Sequence, residues 1–189
     1  MAARLRAGDG PDRSPAGRGL CLVAQRLLWR ITRKDRVQGA FTGKGAAKHG
    51  GRWNEKGTPV VYIAESLAGA MVELLAYYND VRTLETRVYF RLGVDEELIM
   101  GLDPSALPDD WRAFPYPPST QKIGTLWHRE APSGGLRVPS VLIPETYYVL
   151  LNPEHPEFHR VSIDGPYPLA VDGRLAELVE AAYGREGKG

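Results

Sequence analysis

Between Thr42 and Asn54 the chain crowds four glycines, two lysines, a histidine and an arginine into one run, GKGAAKHGGRWN. The apolar segment Val60-Val61-Tyr62-Ile63 follows, and then a stretch with helical spacing that carries Glu73. Glycines let backbone N–H groups approach an anion closely, and Lys and Arg side chains neutralise it. The segment Thr42–Glu73 therefore reads as a site for an anionic ligand beside a strand and a helix bearing one carboxylate. Any fold this chain adopts has to bury that strand and helix while leaving the loop open.

The flanking sequence supplies the elements to do so. Residues 20–32 are apolar and interrupted by Arg26 and Arg30, and the β-branched ending favours a strand. Residues 33–58 are expected to be a glycine-rich loop. Val60–Ile63 is a buried-strand signal. Leu67, Ala70, Met71, Leu74, Leu75 and Tyr78 recur at helical spacing, which places Glu73 off the apolar stripe on a flank shared with Gly69 and Tyr77. Val88, Phe90 and Leu92 alternate with Arg87, Tyr89 and Arg91, the pattern of a half-buried strand. Five prolines between 104 and 118 predict irregular chain over 101–119. A helix is expected over Thr120–Glu130 using Ile123, Leu126 and Trp127. Strands are expected at Val138–Ile143, Tyr147–Leu151 and Phe158–Ile163, and a last amphipathic helix over Arg174–Tyr183. Helices and strands do not alternate, and the later strands have hairpin spacing. The fold class is α+β, one domain with a mixed or mainly antiparallel sheet and flanking helices.

Composition narrows the function. The chain has 189 residues with 24 basic against 23 acidic, a formal net charge of +1. That balance argues against a dedicated nucleic-acid binder. One cysteine, Cys21, excludes a disulfide within the chain and a cysteine zinc site, and suits a reducing cytoplasm. No apolar run approaches the roughly 20 residues that span a bilayer. Residues 1–19, rich in Arg and Gly, read as a disordered leader ahead of a domain over 20–189.

The familiar nucleotide motifs fail. Gly43-Lys44-Gly45 starts like a dinucleotide fingerprint but lacks the third glycine, and no Gly-Lys-Ser/Thr makes a phosphate loop. His155 and His159 lie four apart, yet Pro153 and Pro156 argue against the helix that would aim both at a metal, so no metal is expected. Ser140, in Val-Pro-Ser-Val, has no nucleophile elbow around it and reads by itself as a strand serine with a satisfied hydroxyl. Glu73, Arg30 and Arg52 taken singly read as solvated charges.

Together the pieces say more. Trp29-Arg30, Gly50-Gly51-Arg52-Trp53-Asn54, Val61-Tyr62-Ile63-Ala64 with Glu73 beyond it, Arg137-Val138-Pro139-Ser140 and Leu151-Asn152-Pro153 resemble the successive motifs of the RES-domain family over about Leu28–Val161. That family is named for an Arg, a Glu and a Ser, and its members are toxins of bacterial toxin–antitoxin pairs. The resemblance implies an ADP-ribosyltransferase-like fold, with residues 20–189 as the RES domain, and NAD+ as substrate. It implies catalytic roles for Arg30, Glu73 and Ser140, with Arg52 and Tyr62 in the neighbouring blocks. Family members break the nicotinamide–ribose bond; some pass ADP-ribose to phosphate or water, and others are similar to enzymes that modify a protein. The resemblance also implies a helix-turn-helix antitoxin as partner, one that fills the site.

The chemistry of the residues agrees. Breaking that glycosidic bond develops an oxocarbenium-like cation on the ribose, which a carboxylate such as Glu73 stabilises. Arg30, Arg52, Lys44 and the glycine loop offer cations and N–H donors to the pyrophosphate. Tyr62 or Trp53 offers a face to the nicotinamide ring. Asn54, Asn152 and Ser140 offer hydrogen bonds to amide or ribose. A protein-modifying ADP-ribosyltransferase and a non-catalytic nucleotide-binding module remain as alternatives, the latter weakened by the joint presence of the Arg, the Glu and the Ser.

Overall fold

The strand β1 (Gln25–Arg33) pairs along its whole length with β3 (Arg87–Asp95) but meets β2 (Val61–Ala64) at a single register pair, Trp29 with Ala64. The computed structural model describes residues 24–78 and 81–175, with 177 and 181. The expected leader, Cys21 and most of the helix expected over Arg174–Tyr183 lie outside the described residues, although 173–175 are helical. The remaining strands are β4 (Ile99–Gly101), β5 (Gly135–Pro139), β6 (Tyr147–Leu151) and β7 (Ser162–Pro168). They complete one seven-stranded sheet of order β4-β5-β6-β2-β1-β3-β7, antiparallel except for the parallel β4–β5 pair. This is the α+β class expected from the sequence. Its two halves are joined only at the Trp29–Ala64 pair.

Strand alternation sends side chains to both faces. Leu28, Val61, Ile63, Val149, Leu151, Val88, Phe90 and Leu92 form one core, covered by Val37, Phe41 and Phe158, with the Phe41 ring edge-on to Phe90 at 5.0 Å. On the opposite face Leu136, Val138 and Leu150 pack under Trp53 and Trp127. Trp127 belongs to α3 (Pro118–Glu130). Beside it, α2 (Leu67–Tyr78) lays Leu67, Met71, Leu74 and Leu75 against Ile31, Tyr89, Leu84 and Leu169. Ser66 caps α2 by accepting the Gly69 amide at 3.0 Å. The spacing that predicted α2 also set its depth in the fold, so Glu73 emerges on the flank.

Several expected boundaries move, each for a local reason. The presumed loop 33–58 contains a 3-10 turn at Lys34–Gly39 and a short helix, α1 (Lys44–His49). Gly43, just before α1, has φ +67°, and a Cβ there would stand 2.7 Å from the Pro59 carbonyl carbon. β5 ends at Pro139 rather than running to Ile143, because the Ser140 hydroxyl accepts the amides of Leu142 and Ile143 and turns the chain. The strand expected at 158–163 begins at Ser162. Pro156 opens a 3-10 turn over Pro156–Arg160 that His155 caps through the Glu157 amide. In α3 the buried residues are Thr120, Gly124 and Trp127, whereas Leu126 is 44% exposed. Arg87, expected on an open face, is buried.

The seat of α3 rests on Gly124. A Cβ added there would fall 1.8 Å from the Trp53 carbonyl oxygen, so helix and loop must separate to admit it. Gly124→Ala should lower the unfolding free energy by about 3 kcal/mol. Gly45→Ala, in open space within α1, should leave it unchanged or raise it by up to about 1 kcal/mol. Urea denaturation of the two variants and the parent compares the effects directly.

Candidate active site

One row of residues crosses the sheet at the join: Trp29 opposite Ala64, Ala64 opposite Tyr148, Tyr148 opposite Val138. Beyond Trp29, β1 leaves β2, and the Arg30 side chain enters the gap to donate from Nη1 to the Tyr62 carbonyl at 2.7 Å. Its Nε is buried with no partner, and among the described residues Arg30 makes no ion pair. Burial without a counter-charge lowers its pKa to about 10. A guanidinium in that state is a cation prepared for an anion.

The glycine loop is locked to the same strand. The Tyr62 hydroxyl donates to Asn54 Oδ1 at 2.8 Å and accepts the Trp53 amide at 3.1 Å. Asn54, fully buried, donates from Nδ2 to the carbonyls of Ala46, Glu55 and Thr58. A Cβ on Gly51 would meet the Tyr62 hydroxyl at 2.6 Å, so only glycine allows this approach. Burial pushes the Tyr62 phenol up, out of reach of ionisation.

Arg52 leaves the loop toward the proline-rich segment. Its Nη1 donates to the carbonyls of Trp111 and Ala113 at 2.6 and 3.0 Å, and its guanidinium lies 5.0 Å from the Tyr116 ring centre. Burial pulls its pKa down, while Tyr116, Glu73 and Tyr62 act in the other direction. Glu73 is half-buried and has its pKa raised by desolvation, countered in part by the Arg52 charge and the neighbouring Tyr148 hydroxyl. The Tyr148 hydroxyl donates its one proton to the Gly69 carbonyl at 2.9 Å, with Ser140 and Glu73 beside it.

The expected residues thus divide. Glu73, Arg52 and Tyr62 lie near enough to act on one another's charge, Ser140 and Tyr148 stand beside Glu73, and Arg30 reaches the same strand at the Tyr62 carbonyl. The others stand apart. Trp53 is 3% exposed and packed with Val60 and Trp127, so its ring faces are taken by the core. Asn54 has its hydrogen bonds committed to the loop. Asn152, 2% exposed, donates to the His128 carbonyl and accepts the Glu154 amide. It lies four residues along β6 from Tyr148, about 13 Å away. Lys44 is exposed at the start of α1, with no side-chain partner among the described residues. His155 and His159 are used locally, as a cap and against the Pro156 carbonyl. Arg137 does not join the group either: it clamps Glu65 at 2.6 Å, which Arg26 also holds at 2.9 Å, and it stacks on Tyr147.

Two residues were missed by sequence reasoning. Tyr148 sits in a strand that the sequence did predict, but only the register sets it opposite Ala64. Tyr116 belongs to Phe-Pro-Tyr-Pro-Pro, where aromatics among prolines signal a stiff, exposed segment; Tyr116 is 36% exposed and its ring is edge-on to Phe114.

Comparison with known proteins follows the same ground. The RES domain family model matches residues 27–172. A protein named Toxin Res from Yersinia enterocolitica is 39% identical over 150 residues, spanning 79% of this chain and 99% of that protein. A Prs ADP-ribosylating toxin from a Sphingobium species is 34% identical over 135 residues, spanning 69% of this chain and 84% of that one. A chain in the crystal structure of the M. tuberculosis MbcT–MbcA toxin–antitoxin complex superposes with a TM-score of 0.64 at 19% identity. The match covers 84% of this chain and 90% of the other, and it shows a shared fold.

The electrostatics predict two stability effects. Arg30→Gln removes an uncompensated charge, so at pH 7 the variant should melt about 2–4 °C above the parent. A base with a depressed folded pKa carries its full stability cost below that value and sheds it gradually as pH rises toward the unfolded pKa, so the gap should begin to narrow above about pH 10. Glu73 has the opposite sign: its folded pKa is raised, so the parent loses stability as pH climbs from the unfolded value of 4.5. The advantage of Glu73→Gln should widen over that climb. Thermal melts from pH 4 to pH 10.5 check both.

Proposed function

The chain belongs to the RES domain family, and we propose that it is the toxin of a toxin–antitoxin pair, acting in the cytoplasm by cleaving the nicotinamide–ribose bond of NAD+. The observation that carries this reading is the desolvated Arg30 guanidinium, placed where the sheet opens and lacking any carboxylate partner among the described residues. A dinucleotide pyrophosphate supplies the missing anion, and the buried setting strengthens the pairing.

In this reading NAD+ lies along the opening between β1 and β2. Arg30 takes the pyrophosphate, assisted by Arg52 from the loop side. Glu73 approaches the nicotinamide ribose. The positively charged nicotinamide ring is drawn toward the Glu73 carboxylate, away from Arg30. With Trp53 in the core, Tyr116 is the aromatic face that an arginine already holds at the site. As the C1′–N bond breaks, its electron pair passes to the ring nitrogen and discharges the pyridinium. The cation left on the ribose is stabilised by the Glu73 carboxylate. Water or phosphate then attacks C1′ through oxygen and releases any proton to solvent. Nicotinamide leaves as a neutral ring, so the step needs no separate strong acid.

A second reading shares this first step and delivers ADP-ribose to a protein side chain. It is favoured by the 34% identity to a Prs ADP-ribosylating toxin. In either reading the partner is a helix-turn-helix antitoxin that occupies the opening and excludes NAD+; a carboxylate on the inserted segment suits Arg30 and Arg52.

Purified protein incubated with NAD+ should release nicotinamide, and Glu73→Gln should reduce release at least a hundredfold while keeping the fold. Arg30→Gln should raise the NAD+ dissociation constant about tenfold or more. Parallel incubations in water, in phosphate and with cell extract distinguish ADP-ribose, ADP-ribose 1″-phosphate and labelled protein as products. Intact NAD+ in all three would overturn the proposal.

A further inference from the structure

Phe114 is 82% exposed, the most open of the large apolar side chains among the described residues. The segment that carries it is nonetheless tied down. Trp111 packs against the core that holds Trp53 and Trp127. Arg52 Nη1 donates to the Trp111 and Ala113 carbonyls at 2.6 and 3.0 Å, and the Ala113 amide donates to the Asp110 carbonyl at 2.8 Å. Across the segment, Ser119 Oγ at the start of α3 donates to Asp110 Oδ1 at 2.7 Å. Pro115, Pro117 and Pro118 fix their own φ angles, and Pro117 is buried. Tyr116 stands at a right angle to Phe114, with ring centres 5.7 Å apart, and the Arg52 guanidinium lies over Tyr116 at 5.0 Å. A loose loop would fold a phenyl ring back onto the protein, whereas this anchored backbone keeps it in water against the hydrophobic effect.

We propose that Phe114 is a specificity-determining residue that stacks on the adenine of NAD+ at the outer end of the site, presented there by the backbone that Arg52 holds. The inference rests on the reading above, in which NAD+ lies in the opening with its pyrophosphate at Arg30 and Arg52. A dinucleotide carries one ring system on each side of that pyrophosphate. The pyridinium is a cation and belongs with the Glu73 carboxylate. The adenine is neutral, so what it asks of the protein is aromatic surface. Tyr116 has part of its ring surface covered by the Arg52 guanidinium, while Phe114 has most of its own to give. Two rings at a right angle form a corner in which a flat base lies face-on to one and edge-on to the other. Arg52 is at once the loop-side cation and the clamp on the Trp111 and Ala113 carbonyls, so phosphate and ring are joined through one side chain. A ring already held in place gives up little freedom on binding, which favours stacking over the same contact made by a mobile loop.

The test compares the full chain with its Phe114→Ala and Phe114→Trp variants, which should melt with the parent because the ring lies in solvent. Phe114→Ala should raise KM for NAD+ about tenfold with kcat little changed, and Phe114→Trp should restore the parent value. Nicotinamide mononucleotide lacks the adenylate half, so its kcat/KM should be the same in parent and Phe114→Ala. The dissociation constant of ADP-ribose, measured by titration calorimetry, should rise about tenfold in Phe114→Ala. An equal loss for NAD+ and the mononucleotide would place Phe114 on the nicotinamide side and overturn the inference. Unchanged KM and unchanged ADP-ribose affinity in Phe114→Ala would leave the ring to a protein partner and overturn it as well. The ADP-ribose titration needs no turnover. A chain that leaves NAD+ intact, yet binds ADP-ribose about tenfold better than Phe114→Ala does, defeats the proposed cleavage and keeps the adenine platform. A parent chain that does not bind ADP-ribose defeats the platform.

Discussion

A half-buried arginine, its Nε enclosed without a partner and no carboxylate paired with it among the described residues, is the constraint around which this molecule is arranged. The guanidinium of Arg30 occupies the place where β1 parts from β2, and its bond to the Tyr62 carbonyl takes a backbone acceptor that a continuous sheet would have paired with a backbone amide. The opening in the sheet and the charge inside it therefore depend on each other. An unpaired buried cation is unfavourable for stability. It persists where the surrounding structure is rigid enough to hold it, and here β1 is secured along its full length by β3. On the other side, Arg26 and Arg137 converge on Glu65 and draw β1 and β5 toward the end of β2. That clamp compensates for the shortness of the β1–β2 pairing.

The glycine-rich loop has a different role from the one its composition suggests. Its glycines are used less to cradle an anion than to let other atoms approach: Gly51 admits the Tyr62 hydroxyl, Gly43 lies against Pro59 and Val60, and Gly124 of α3 receives the Trp53 carbonyl. Asn54 and Tyr62 then satisfy the polar groups that this packing buries. The loop becomes a rigid block that holds Arg52 at a set height over Tyr116. Its positive charges separate accordingly, with Lys44 in solvent and Arg52 in the site.

Glu73 brings the second charge. It is half-buried and makes no ion pair among the described residues, and it is held between opposing influences: desolvation toward the acid, Arg52 and Tyr148 toward the carboxylate. Such a group responds strongly to what binds beside it, since a nearby cation favours its ionised form.

Much of this was legible in the sequence, because it depends on periodicity and local chemistry. The 3.6-residue spacing from Leu67 to Tyr78 placed α2 and set Glu73 on its flank; Tyr147–Leu151 was recognisable as a strand; hairpin spacing and the absence of regular alternation indicated an α+β sheet. The resemblance to the RES-domain family, and not periodicity, named Arg30, Arg52, Tyr62, Glu73 and Ser140 as a set. It did not separate Trp53, Asn54 and Asn152 from them, since a residue inside a motif can serve the site or the scaffold beneath it. That distinction is one of burial and partner, which depend on contacts across dozens of residues: Trp127 over Trp53, the Ala46 carbonyl on Asn54, His128 on Asn152. Nor can one strand's sequence reveal its register. Tyr148 comes beside Glu73 because it lies opposite Ala64 and reaches Gly69 of the next helix, and the Arg30 guanidinium meets the Tyr62 carbonyl because β1 leaves β2 after Trp29. Motifs shared with the family named the residues, and the pairing of distant strands decided which of them face one another.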